Sequence, residues 1–200
     1  MRDVARVRAP LFWLLHALHL RAPDTQMTGE ERACLARHAA GRTTLVEIGV
    51  MHGASTRLLS EAMAPEGLLV AIDPFPPGRL GVSFEFAIAR REVARGPQRR
   101  VVWLRQRSEE AVTAWRAPID LLFIDGDHSW SGIDHDWSAW SRFVACDGVV
   151  ALHDSHPVAG RPLLDSVRYT QEVILRDPRF TLIDRAGSLT VLRRMQGARP

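Results

Sequence analysis

A chain of 200 residues, 46% hydrophobic and 24% charged, suits one folded domain with a sizeable core and not a disordered segment. Its 26 basic residues exceed the 23 acidic ones by only three and are scattered, so nucleic acid is not expected as a partner. All 26 are arginine, which excludes a Schiff base, a Walker A lysine and a lysine general base, and makes the eight histidines the leading candidates for a base near neutral pH.

Residues 1–42 read as an N-terminal helical extension. The apolar stretch 9–20 follows Arg2, Arg6 and Arg8, the charge order of a secretory signal. His16 and His19 interrupt it and no small-residue cleavage site comes after it, so a cytoplasmic helix is expected. No apolar run approaches the roughly 18 residues of a membrane span, and no transmembrane segment is expected. Thr28 and Glu31 form a capping-box pair that opens a helix running to Ala40 and stopping at Gly41. Cys34 and Cys146 lie far apart in no metal-ligand spacing, so no thiolate zinc site is expected.

From 43 to 196, short apolar runs alternate with longer amphipathic stretches. Strands are predicted over 44–48, 68–72, 101–104, 120–124 and 148–152, and helices over 55–63, 83–95, 108–115, 131–143 and 163–175. Ser108 is expected to cap its helix. Two strands, 180–184 and 188–192, flank Ala186-Gly187. The layout is α/β: a Rossmann-like, doubly wound seven-stranded sheet with a C-terminal antiparallel hairpin and N-terminal helices. In such sheets ligands bind at the carboxyl ends of the strands, so the residues just past each strand are the candidates for chemistry.

After Ile48 comes Gly49-Val50-Met51-His52-Gly53-Ala54. Glycines here permit a tight bend and close approach of a ligand, but Met51 and Ala54 occupy the second and third positions of a dinucleotide fingerprint. The turn therefore favours a nucleoside without a pyrophosphate. Asp73 ends the second strand, where a carboxylate can accept from both ribose hydroxyls. Ser108, after the third strand, is placed to meet an adenine edge. Asp125-Gly126-Asp127-His128 lies just past the fourth strand and His153-Asp154-Ser155-His156 just past the fifth. Facing carboxylates on neighbouring strands repel, and a divalent cation between Asp125 and Asp154 would remove that repulsion. Trp137 and Trp140 read as core, and Trp130 as a pocket wall.

These segments together resemble the class I S-adenosylmethionine-dependent methyltransferases, and within them the small-domain family of sugar and macrolide O-methyltransferases and cephalosporin-hydroxylase-like proteins. The carriers are VEIGVMHGAS (46–55), AIDPF (71–75), DLLFIDGDHSW (120–130) and GVVALHDS (148–155). The resemblance implies that Glu47, Gly49, Gly53 and Ser55 shape the methionine and ribose side of the site and that Asp73 holds the ribose. It implies that Asp125 and Asp154 bind magnesium or another divalent cation, with Asp127 or His153 as a further ligand, and that His128 is the general base.

The expected function is metal-assisted methyl transfer to a hydroxyl of a small molecule, a sugar or natural-product scaffold. Asp125 both holds the cation and contacts the cofactor, and His128 takes the proton. Two alternatives stand beside it: a non-catalytic S-adenosylmethionine-binding protein, and a non-haem iron enzyme using His128, His153 and Asp125 or Asp154. The loops 74–82 and 156–163, with Arg79 and Arg161, are expected to form the acceptor pocket. The helix near the N-terminus is expected to pack on the domain, cover the cofactor or join a homodimer, with a membrane surface as the lesser alternative.

Overall fold

The structure is a computed structural model that describes residues 11–16, 18, 20, 22–23, 25–78, 81–97 and 99–197. Five parallel strands come first: β1 (Thr44–Ile48), β2 (Leu68–Ile72), β3 (Arg100–Leu104), β4 (Ile119–Ile124) and β5 (Val144–Leu152). β6 (Phe180–Ala186) and β7 (Leu189–Arg194) complete one seven-stranded sheet in the order β3-β2-β1-β4-β5-β7-β6, with β7 antiparallel to both neighbours. The central strands are nearly continuous apolar runs because both faces of the sheet are covered.

Alternate residues face opposite layers. Val46, Ile48, Val70, Leu122, Ile124, Val150 and Leu152 pack on one side with Ile133, Trp137 and Trp140 of α5 (Trp130–Trp140) and Tyr169 of α6 (Asp165–Glu172). Leu45, Leu69, Leu121, Phe123 and Val149 pack on the other with Cys34 and Leu35 of α1 (Gly29–Ala39) and Leu59 of α2 (Ala54–Ala62). Register then sets the site. Ile72 pairs with Leu104 and with Ile48, Ile48 with Ile124, and Ile124 with Leu152. All five parallel strands therefore end flush, and the residue after each one emerges at the same level.

Several details differ from the sequence expectation, among them the helices expected over 108–115 and 163–175, which stop at Ala111 and Glu172 and continue as 3-10 turns. Ser108 is the first residue of the short helix α4 (Ser108–Ala111) rather than its cap, and Arg107 holds the cap position. β5 begins at Val144, not at Gly148. Asp147 takes φ 62° within the strand, and the register shifts opposite it between Ile119 and Leu121. α5 stops at Trp140, and Ser141–Phe143 tightens into a 3-10 turn. Trp130 lines neither of the two clefts at the strand ends: it meets Tyr169 edge-on at 5.0 Å, under the Arg168 guanidinium at 5.7 Å.

Near the N-terminus residues 11–16 are helical and pack on the domain. Phe12 stacks on His52, and His16 is buried with Nε2 3.0 Å from Glu92, while the Arg95 guanidinium donates to the His16 carbonyl at 2.9 Å. Glu92 and Arg95 lie at the carboxyl end of α3 (Phe84–Val93). No helix among the described residues is long and apolar enough to cross a membrane. Arg79, expected in the acceptor pocket, lies outside the described residues.

Candidate active site

The turn after β1 is built on the protein's own backbone. A Cβ on Gly49, at φ +86°, would collide with the Asp125 carbonyl oxygen. One on Gly53, at φ +77°, would stand 2.8 Å from Ala89 Cα in α3. Both glycines are thus required by strand and helix packing around the turn. Asp73 then ties the turn to β2. Its Oδ2 accepts from the Val50 and Met51 amides at 3.0 and 3.2 Å, and its Oδ1 from the Phe75 amide at 2.8 Å. Met51 and Phe75 both hold positive φ, 51° and 43°. Non-glycine residues rarely adopt this conformation unless surrounding contacts impose it, and such strain gathers at functional sites.

Glu47 lies fully buried beneath the turn. Its Oε1 accepts from the Ser55 hydroxyl at 2.5 Å, while Oε2 makes no hydrogen bond. Burial pushes its pKa up to about 8 against the Ser55 bond. On the other flank, Ser108 donates a short hydrogen bond to Asp136 of α5. Burial raises the Asp136 pKa to about 6 despite that bond. Asp136 is absent from the residues expected at the site, although a carboxylate on the buried face shared by Ile133, Trp137 and Trp140 breaks an apolar stripe and signals a polar partner.

At the β4 and β5 ends the partners are imidazoles. His153 Nδ1 lies 2.9 Å from Asp125 Oδ1, and its Nε2 is 3.7 Å from Glu31 Oε2. Burial favours the neutral ring, but the Asp125 hydrogen bond and the charges of Asp125, Asp154 and Glu31 outweigh it and raise the His153 pKa. Glu31 is equally buried. Burial opposes its charge, yet hydrogen bonds from Thr28 and Ser188 hold its pKa at about 2. His128 Nε2 stands between the two acids, 3.9 Å from Asp125 Oδ1 and 3.5 Å from Asp154 Oδ2. Asp154 takes φ 47°, a third strained position at a strand end. Arg161 reaches Asp154 Oδ1 at 3.7 Å. Asp127 accepts from the Ser129 amide at 2.9 Å in the turn ahead of α5.

Two clefts open on this row. One of about 430 Å³ is lined by Gly49, Ser55, Asp73, Ser108, Asp125, Asp127, His128 and Asp136, with Thr25, Gln26 and Met27 from the segment ahead of α1 on its rim. The second, about 410 Å³, is lined by Gln26, Asp154, His156, Arg161 and the loop to Leu164. The His128–Asp154 contact joins them. Of the residues expected at the cofactor, all but Glu47 and Gly53 line the first cleft: Glu47 lies beneath it against Ser55, and Gly53 against α3. Of the two loops expected to form the acceptor pocket, 156–163 lines the second cleft, while 74–82 reaches the first through Pro74 and does not line the second.

The first cleft fits a cationic nucleoside such as S-adenosylmethionine. Its carboxylates outnumber its one arginine, Arg107, and a buried carboxyl oxygen of Glu47 stands without a partner below it. For a divalent cation the fit is narrower. Asp125 and Asp154 suit magnesium held by two carboxylates plus water or substrate oxygens. His153 stands behind Asp125 with its ring 1% exposed, and Asp127 is engaged in its own turn.

A family model described as a methyltransferase domain matches residues 46–155, more than half of the chain. Among solved structures, a protein from Corynebacterium glutamicum superposes with a TM-score of 0.66 at 20% identity, over 98% of this chain and 92% of that one. The O-methyltransferase from Bacillus cereus in complex with SAH gives 0.61 at 17% identity, over 97% and 92%. The O-methyltransferase TomG from Streptomyces achromogenes, involved in tomaymycin synthesis and solved with SAM, gives 0.62 at 18% identity, over 98% and 91%. These likenesses establish a shared fold along nearly the whole chain. With flush strand ends, the 3-2-1-4-5-7-6 sheet and the domain match together, the chain belongs to the methyltransferase-domain family and has the class I, S-adenosylmethionine-dependent fold.

Proposed function

We propose that the protein transfers a methyl group from S-adenosylmethionine to a hydroxyl of a small molecule, with His128 as general base. The observation that carries this reading is the place of His128: its Nε2 sits between Asp125 and Asp154, where the first cleft meets the second. Bound in the first cleft, S-adenosylmethionine supplies a methyl activated by its sulfonium. Asp73 and the turn it braces hold the ribose, Ser108 and Asp136 meet the base, and Glu47 with Ser55 supports the methionine side. An acceptor seated in the second cleft presents its hydroxyl to His128. The ring takes the hydroxyl proton at Nε2, where it stands between the two carboxylates. Methyl transfer asks little covalent chemistry of the protein, so alignment across the two clefts is its main contribution. Asp125 and Asp154 would also hold a divalent cation such as magnesium, which would supply charge to lower the pKa of a bound hydroxyl. Arg161, beside Asp154, suits an acceptor with a polar or acidic substituent.

Calorimetry with SAH and a mass-spectrometric screen of hydroxylated small molecules test this reading together. The expected results are SAH binding and a mass gain of one methyl on an acceptor, reduced by chelator and restored by magnesium. SAH binding with no methylated product on any hydroxyl acceptor would contradict it, and persistence of full activity in chelator would remove the cation alone.

A further inference from the structure

A second polar cluster lies away from both clefts, where α1 crosses the edge strand β6. Cys34 and His38 are four residues apart on α1 and so share a face. Asp184 of β6 points at both. Its Oδ2 is 3.4 Å from Cys34 Sγ and 2.9 Å from His38 Nε2, and the Arg37 guanidinium donates to the same oxygen at 3.0 Å. One donor atom from each of Cys34, His38 and Asp184 lies within 4.8 Å of the other two.

We propose that Cys34, His38 and Asp184 form a zinc site that clips α1 to β6. Tetrahedral zinc with bonds of roughly 2.3 Å to sulfur and roughly 2.0 Å to nitrogen and oxygen needs sulfur–oxygen and nitrogen–oxygen edges of roughly 3.5 and 3.3 Å. The two edges to Asp184, 3.4 and 2.9 Å, need only a small opening, and the sulfur–nitrogen edge lies within 4.8 Å. Thiolate, imidazole and carboxylate together select a borderline ion over magnesium or calcium. His38 and Asp184 are partly exposed, which leaves a fourth position for water. Binding releases the thiol proton to solvent and frees Arg37, whose side chain is 62% exposed and has room to swing away. The site uses one cysteine, so a search of the sequence for paired cysteines misses it.

The clip has a consequence for the helix it holds. Glu31, one turn ahead of Cys34, accepts from the Ser188 amide and hydroxyl at the β6–β7 turn, so both attachments of α1 fall on the same hairpin.

The test uses full-length protein, reduced and stripped of metal, dialysed against zinc and assayed by elemental analysis. One equivalent is expected. Asp184→Asn and His38→Gln should weaken it at least tenfold, Arg37→Ala should tighten it, and zinc should raise the Tm of the wild type but not of Asp184→Asn. With cobalt, a thiolate charge-transfer absorption should appear, vanish in Cys34→Ala and persist in Cys146→Ser and Asp154→Asn. Absence of a bound equivalent, an unchanged stoichiometry in Asp184→Asn, or loss of the cobalt absorption in Cys146→Ser would overturn the proposal. Asp184 is partly exposed, so its variant decides the matter even if Cys34→Ala fails to fold.

Discussion

The two halves of the central cleft hold their carboxylates in different ways. On the β1–β2 side Asp73 is fixed by three backbone amides, which cannot change protonation. On the β4–β5 side Asp125 and Asp154 face His153 and His128, which can. The first half is a rigid cradle, and the second is a place where protons can move. The same contrast separates two buried glutamates. Glu31 accepts from backbone amides and hydroxyls of Thr28 and Ser188 and stays ionised, whereas Glu47 is pushed toward neutrality by burial that its hydroxyl partners do not offset. Burial opposes the charge of both carboxylates, and its balance against the donors aimed at each sets the direction of the shift.

Substitutions in the two halves should therefore fail differently. The largest effect is expected for His128→Ala: turnover should fall by roughly 10²–10⁴ while SAH affinity by calorimetry stays level. Equal loss of affinity and turnover would erase the distinction between the halves. Gly49→Ala should act on the scaffold instead, destabilising the fold by roughly 2–4 kcal/mol in urea denaturation, because the new Cβ meets the Asp125 carbonyl in a left-handed conformation. A variant as stable as the wild type would show that the β1 and β4 ends can separate. Asp73→Ala removes hydrogen bonds to a charged acceptor worth roughly 1.5–3 kcal/mol each, and should weaken SAH binding by roughly ten- to a hundredfold. An unchanged Kd would mean that the cradle does not depend on Asp73.

The last effect is a slope in pH. The Glu47 pKa is raised from 4.5 to about 8 in the folded protein, so its contribution to stability is fully present below about 4.5 and is lost as pH rises through about 8. The slope in that window is at most roughly 1.4 kcal/mol per pH unit. Glu47→Gln should remove this part of the pH dependence, and an identical slope in the variant would refute a neutral Glu47. Glu31 has the opposite sign: lowered to about 2, it contributes stability above about 4.5 that is lost as pH falls through about 2.

Much of the fold is legible in the sequence because the central strands are short apolar runs bounded by polar turns. The runs 44–48 and 68–72 match β1 and β2 end to end, and the Thr28–Glu31 capping box closes in both directions. The first half of β5 escapes the sequence reading because Cys146, Asp147 and Gly148 interrupt the apolar run inside the strand. Strand-end polarity points to Asp73, Asp125, His128 and Asp154, since flush ends bring such residues to one level. What the sequence hides are pairings set only by packing. The Ser108–Asp136 bond spans two helices that the sequence presents separately. Glu31 reads as a capping residue, yet it also holds Ser188 and approaches His153 from far along the chain. Cys34 and Asp184 are 150 residues apart, and no local pattern announces their meeting.

The central claim is that the imidazole at the junction of the clefts carries the proton step of methyl transfer. The most direct measurement offers labelled S-adenosylmethionine and an acceptor found by screening to wild type and His128→Ala, with labelled product quantified over a pH series. Labelled product is expected from His128→Ala at a rate roughly 10²–10⁴ below the wild type, with SAH binding retained by both. Label transferred by His128→Ala at the wild-type rate and with the wild-type pH profile would contradict the claim.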